Sequence, residues 1–204
     1  MTFLEELHLQ RWDDHRYYHH SRINQLLHLC SALCFLTSYG LVFFNPVAAV
    51  MVGWLMAMVL RQTGHFFFEP KTYDTVNDAS HEYKESVKVG YNLRRKVVLL
   101  SVWVAVPAAL FASPSLFGLL GAQQVARGMV YDTAIVWLWV GVGAVVFRTV
   151  QLFFLKGVQP GLVWATKIVT DPFHDVWIYH KAPYFLWKGD LYDSMTDWYR
   201  ERPA

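Results

Sequence analysis

The sequence predicts an all-α, polytopic membrane protein with four transmembrane helices and both termini in the cytoplasm. Three observations carry that expectation. Hydrophobic residues make up 54% of the 204 and charged residues only 17%, more apolar material than a soluble core of this size needs. The charges are clustered, and the apolar runs between them approach the roughly 20 residues that cross about 30 Å of hydrocarbon. Basic residues gather almost entirely at one end of those runs, which is the bias of cytoplasmic loops.

The chain reads as one helical domain, 1–204. Residues 1–22 are polar and charged, a cytoplasmic arm rather than a cleavable signal peptide. Residues 23–70 form a transmembrane hairpin: Ile23 to Phe44 and Val47 to Leu60 carry no charge, with Asn45-Pro46 as the turn signal between them. Ser21 is suited to cap the first span, placing Asn24 at its third helical position. Residues 71–96 are a cytoplasmic loop. Residues 97–155 hold the second pair of spans; Val97 to Val125 is uncharged and Thr133 to Leu155 is interrupted only by Arg148. Pro107 should kink the third span, and Ser113-Pro114 should end its regular part early. Residues 156–204 read as a cytoplasmic interfacial tail, in which Asp171 caps and Pro172 opens a short helix that stops before Pro183. From Tyr184 to Trp198 aromatic and charged residues alternate, as on a membrane surface. Cys30 and Cys34, one turn apart in the first span, are poorly aimed for a disulfide and read as small packing residues.

Of 18 Lys and Arg, only Arg127 lies in the loop between the third and fourth spans. The nine histidines follow the same division: His8, His15, His19, His20, His28, His65, His81, His174 and His180 all fall on the cytoplasmic side. Histidine is the commonest metal ligand. Confined to one end of a helix bundle, these residues point to a metal site at that membrane face.

His28, about two turns into the first span, and His65, at the exit of the second, reach the same level. An unpartnered imidazole in an apolar helix is costly, so His28 needs a specific partner. Asn24 and His28 share one helix face, and His65 and Glu69 another; the second pair suits either two metal ligands or one ligand and the carboxylate that orients it. Gly64 permits close approach of another helix beside His65. His19 points away from His28 on a continuous helix and meets it only if the chain bends near Ser21. His81, near Glu82 and Glu85, is the weakest fourth ligand, and a solvated amphipathic loop explains those three residues equally well. His15 and His20 fit the headgroup region; Phe66, Phe67 and Phe68 fit an anchor at the membrane boundary or the lining of an acyl-chain entrance. His180 belongs with the surface tail.

Two of these constellations resemble the Mpo1-like family of small helical membrane proteins. The family's Tyr-His, with an Asn five residues after that His and a second His four further on, is matched by Tyr18-His19, Asn24 and His28. Its Gly-His, followed by a Glu four residues after the His, is matched by Gly64-His65 and Glu69. The resemblance covers roughly Tyr18 to Pro70. The chain departs from the family at Arg61, where a Gln is usual, and at Pro70-Lys71, where Pro-Ala commonly follows the Glu. The 71–96 loop and the tail after Gln159 do not align. The resemblance implies a membrane-embedded, Fe(II)-dependent dioxygenase that shortens 2-hydroxy fatty acids by one carbon. His19, His28 and His65 would be metal ligands, while Asn24 and Glu69 would orient ligands or substrate; His81, outside the aligned stretch, stays the weakest fourth.

The partners this implies are a membrane lipid or fatty acyl substrate and dioxygen. No nucleic acid is expected, because no phosphate loop or nucleic-acid-binding motif is present; a membrane-protein partner or a second copy fits the composition. Two other classes stay open on the residues alone. A haem-binding electron carrier would use His28 and His65 as axial ligands. A non-enzymatic accessory or assembly subunit would need no metal and would use its aromatic tail as a contact surface.

Overall fold

The computed structural model describes residues 1–195 apart from 70 and 76; Pro70, Trp198 and the end of the expected tail lie outside them. The described residues fold into helices α1 (Phe3–Tyr18), α2 (Arg22–Leu41), α3 (Pro46–Phe68), α4 (His81–Val87), α5 (Leu93–Ala112), α6 (Ala122–Val125), α7 (Met129–Leu155), α8 (Val158–Tyr179) and α9 (Ala182–Trp187). No strand occurs among them beyond two isolated bridges.

Local chemistry sets the boundaries. Thr2 and Glu5 close a capping box at the start of α1, satisfying two backbone donors that would otherwise be orphaned. Ser21 caps α2 by accepting from the Asn24 backbone N–H, as the sequence predicts. Residues 19–21 between α1 and α2 supply the bend that His19 needs. Asn45 caps α3, with Pro46 in its first turn. Ser113 ends α5, again as expected.

Three helices are long and apolar enough to cross a membrane: α3, α5 from Arg94 onward, and α7. Only 11% of the most apolar stretch of α5, and the same share of α7, is buried inside the protein. Faces that apolar call for an apolar surrounding, and helices satisfy their own backbone groups there. The α2 helix has 20 residues but falls outside that set of three. Its inward face is polar, with Asn24, Gln25, His28 and Ser31 all buried.

The core divides by level. Away from the histidines, Val50 and Trp54 of α3 pack with Val106 and Leu110 of α5 and Ala134 and Trp137 of α7. Trp103 and Trp137 stack at 5.2 Å between centroids, and the Trp137 indole N–H donates to the Trp103 carbonyl at 2.9 Å. At the other end, α8 packs most extensively on α2 and α7 and also holds α1.

That role of α8 corrects the expected surface tail. Asp171 and Pro172 do not open a short helix; they lie inside one helix that runs from Val158 to Tyr179. An internal proline costs about 3 kcal/mol, which the burial of this helix on two neighbours offsets. Asp171 is fixed by Arg11 at 3.3 Å and Lys167 at 3.1 Å rather than by a capping role. Beyond α9 the chain returns to the start of α2, where the Arg22 backbone N–H donates to the Leu191 carbonyl at 2.9 Å and the Arg22 side chain pairs with Asp193 at 2.7 Å. In the 71–96 loop Glu82 is exposed while His81 and Glu85 are half-buried, and part of the loop packs inward. Lys84 of α4 is fully buried, pairs with Asp74 at 3.7 Å, and its carbonyl accepts from the Tyr18 hydroxyl at 2.5 Å.

Candidate metal centre

Three imidazoles meet where α1, α2 and α3 converge. His19 follows the last residue of α1, His28 lies in α2, and His65 sits in a turn of α3, Gly64–Phe68, with π-helical spacing. Such turns re-aim a side chain relative to a regular helix and recur at functional sites. Glu69 leaves the helix with extended backbone, and its carboxylate folds back toward His65.

The nitrogens are arranged by what lies behind each ring. His19 Nδ1 is 2.8 Å from the Asp14 carbonyl, His28 Nδ1 is 3.0 Å from the Asn24 carbonyl, and His65 Nδ1 is 2.8 Å from Glu69 Oε2. Backbone carbonyls only accept, as does a carboxylate, so each Nδ1 carries the proton and each Nε2 presents a lone pair. Those lone pairs converge: His28 Nε2 lies 3.1 Å from His19 Nε2 and 3.3 Å from His65 Nε2. Three acceptors facing one point repel unless a cation sits among them.

The residues fit such an ion. The ligand atoms of the three histidines all lie within 4.8 Å of one another. Nitrogens about 2.0–2.1 Å from a single ion stand about 3.3 Å apart in tetrahedral coordination. Hydrogen bonds from Nδ1 to carbonyl or carboxylate are the usual outer support of metal-bound histidine. Asn24 is also fully buried, and its Oδ1 has no hydrogen-bond partner, although its amide N–H is committed to the Tyr18 carbonyl at 2.7 Å. That oxygen lies against Gly64 of α3.

Burial keeps the site in its neutral, ligating form. It lowers the His19 pKa well below the usual value, with the neighbouring His15 acting in the same direction. The Glu69 pKa is raised by burial, against the opposing pull of Lys88, whose Nζ is 3.7 Å away.

Of the residues that the sequence singled out, His19, His28, His65, Asn24 and Glu69 come together. His81 does not join the three; it lines a separate small cavity behind His65. His15 and His20 are buried rather than lying at a headgroup level. His15 Nδ1 is 3.1 Å from the Tyr179 hydroxyl, and His20 is held by the Arg16 carbonyl, Asn77 and Asp74. His180 is exposed, in keeping with its expected surface place.

Sequence reasoning missed Tyr179, whose ring packs 5.7 Å from His19 and 6.3 Å from His28, centroid to centroid. It also missed the reason for Arg61, which pairs with Asp175 at 2.5 Å. A signal was present: Lys167, Asp171, Asp175 and Tyr179 recur every fourth residue along α8 and are all buried. A polar stripe of that kind on an apolar helix marks an inward face.

A haem held between His28 and His65 does not suit this geometry. Axial nitrogens must lie on opposite faces of a macrocycle, whereas these two sit 3.3 Å apart with their rings at 85° and His19 wedged against both. The fold and site together define a helical protein with three helices apolar enough to span a membrane and a buried three-histidine cluster that could bind a metal ion. No family model, curated protein or solved structure matches the chain.

Proposed function

We propose that this chain is a membrane-embedded, non-haem iron oxygenase acting on a fatty acyl substrate, with 2-hydroxy fatty acids as the class implied by the resemblance of residues 18–70. The observation that carries the reading is the convergence of three Nε2 lone pairs, each backed by an acceptor at Nδ1. Imidazole suits iron among several first-row metals; the choice of Fe(II) comes from the resemblance. Iron bound there would supply dioxygen activation.

The chain's own residues do the rest. Asp14, Asn24 and Glu69 fix three ring orientations, and the packed rings of Tyr179 and His19 keep bulk water from the cluster. A 2-hydroxy acid suits this level of the bundle, because its polar head can reach the histidines while its tail lies along the apolar helices. In this reading α2 is a fourth span, about 30 Å long at 1.5 Å per residue. Both termini and the 71–96 loop face the cytoplasm, in keeping with the basic residues.

The test is turnover. Reduced, iron-replete protein supplied with a long-chain 2-hydroxy fatty acid should consume dioxygen and yield an acid one carbon shorter, with the carboxyl carbon released as carbon dioxide and the remaining oxygen as water. Iron-replete protein that consumes no dioxygen with any hydroxylated or unmodified acyl lipid contradicts the enzyme reading. A metal-free chain that co-purifies with stoichiometric partners would point to an accessory subunit instead.

A further inference from the structure

We propose that the cavity behind His65 binds the carboxylate of a single-chain fatty acid, with Lys96 as its anchor and the outer face of α5 as the bed of its tail. This deepens the proposed function by naming where the substrate's head is held, and the assignment rests on that reading only for the fate of the bound acid.

The cavity is lined by His65, Glu69, Lys71, His81, Glu85, Lys88 and Lys96. Its two carboxylates are already matched. Lys88 Nζ lies 3.7 Å from Glu69 and 3.6 Å from Glu85, and it also sits 3.5 Å above the Tyr18 ring. Glu69 accepts from His65 as well, at 2.8 Å. Lys71 lies exposed at the rim, and two less exposed groups are left over. Lys96 has no ion pair among the described residues, and His81 Nδ1 is buried with no hydrogen-bond partner. A cation and a polar nitrogen face one small, partly open space of about 10 Å³, and an anion with two oxygens reaching its mouth would give each of them an acceptor. A carboxylate accepts from both, and charge-assisted bonds of this kind are the strong ones.

Lys96 stands in the first turn of α5, a helix apolar enough to cross a membrane. From the next residue onward that helix offers Val97, Leu100, Ser101, Val104, Ala105 and Ala108 as an open apolar groove. These positions repeat at helical spacing over roughly 16 Å, and the one hydroxyl among them, Ser101, is committed to the Val97 carbonyl at 2.9 Å. A cationic end followed by an apolar lane matches an acid head followed by one acyl chain. His65 is shared between the cavity and the three-histidine cluster, so a head held at Lys96 lies beside the cluster.

Binding needs no turnover, so the experiment uses full-length protein in detergent, stripped of metal with a chelator. Affinities for palmitate, hexadecanol and hexadecyl phosphate are measured by equilibrium binding. Palmitate should bind wild type at least tenfold more tightly than hexadecanol. Lys96→Gln should erase that preference, Lys96→Arg should keep it within about threefold, and Lys181→Gln, at an exposed lysine away from the cavity, should leave it unchanged. Ala105→Trp should weaken palmitate and hexadecanol alike. Equal affinity of wild type for palmitate and hexadecanol overturns the proposal without any variant having to fold, and so does tighter binding of hexadecyl phosphate than of palmitate. A preference that survives Lys96→Gln overturns it too, and unchanged affinity in Ala105→Trp removes α5 as the bed of the tail. Lys96-dependent palmitate binding by a chain that never takes up metal would leave this site standing while ending the oxygenase reading.

Discussion

Gly64 and Asn24 meet with no room for a methyl group between them. A Cβ at Gly64 would overlap Asn24 Oδ1 and stand 3.2 Å from His28 Cε1. The absence of that one carbon lets α3 approach α2 closely enough for His65 and His28 to share a point. Gly64→Ala should therefore push the two helices apart, at an overpacking cost of about 1–3 kcal/mol. Metal affinity should fall with it, by tenfold or more. Gly143→Ala is the control: nothing lies within 4 Å of its Cβ position, so it should be neutral or gain up to about 1 kcal/mol from helix propensity. Metal titration and thermal unfolding of both variants in detergent check the pair; equal behaviour would show that the close approach is not what builds the site.

Glu69 lies behind His65, 2.8 Å from its Nδ1. Glu69→Gln keeps the shape and removes the charge. Loss of such an outer partner costs about 10–100-fold in metal affinity or activity. The melting temperature should move little by comparison. A variant with unchanged metal affinity and activity would mean that Glu69 serves only its ion pair with Lys88.

Much of this centre was legible in the sequence, because its parts sit at helical spacings. Asn24 with His28 and His65 with Glu69 are both four residues apart, and Ser21 signalled the break that brings His19 round. The expected small packing role of Cys30 and Cys34 agrees with both thiols being free. What the sequence hid was tertiary. Pro172 looked like a helix start because a proline inside a helix is locally unfavourable, and only the packing of α8 on α2 and α7 reverses that. Tyr179 drew no role from the sequence because its partners, His15 and His19, lie some 160 residues earlier. The burial of Lys84 was hidden because a lone sequence does not show Asp74 folding back over it.

Burial has a consequence in acid. His15 and His174 are each held to a pKa of about 4, chiefly by desolvation, against about 6.5 in an unfolded chain. Between those values the unfolded state binds more protons, so stability should be full above pH 6.5 and fall as pH drops toward 4. Each group adds a slope of up to about 1.4 kcal/mol per pH unit. His174→Gln should flatten that acid limb in thermal unfolding between pH 4 and 6.5. An identical limb in wild type and variant would remove His174 from the account.

Topology is open to a direct check. With Cys30 and Cys34 replaced by Ala, single cysteines at Ser86 and Gln124 should label with an impermeant maleimide from opposite sides of the membrane, Ser86 from the cytoplasmic one. Labelling of both from one side would contradict four spans with cytoplasmic termini.

The central claim is that His19, His28 and His65 hold one metal ion, and metal analysis of anaerobically purified protein tests it most directly. Wild type should carry about one iron per chain without a haem spectrum. His28→Ala and His65→Ala should each lose most of it, because His28 Nε2 is central to both close contacts, 3.1 and 3.3 Å. His81→Ala and His180→Ala should retain it. Equal metal content in all four variants, or wild type that binds no metal under any reconstitution, would contradict the account.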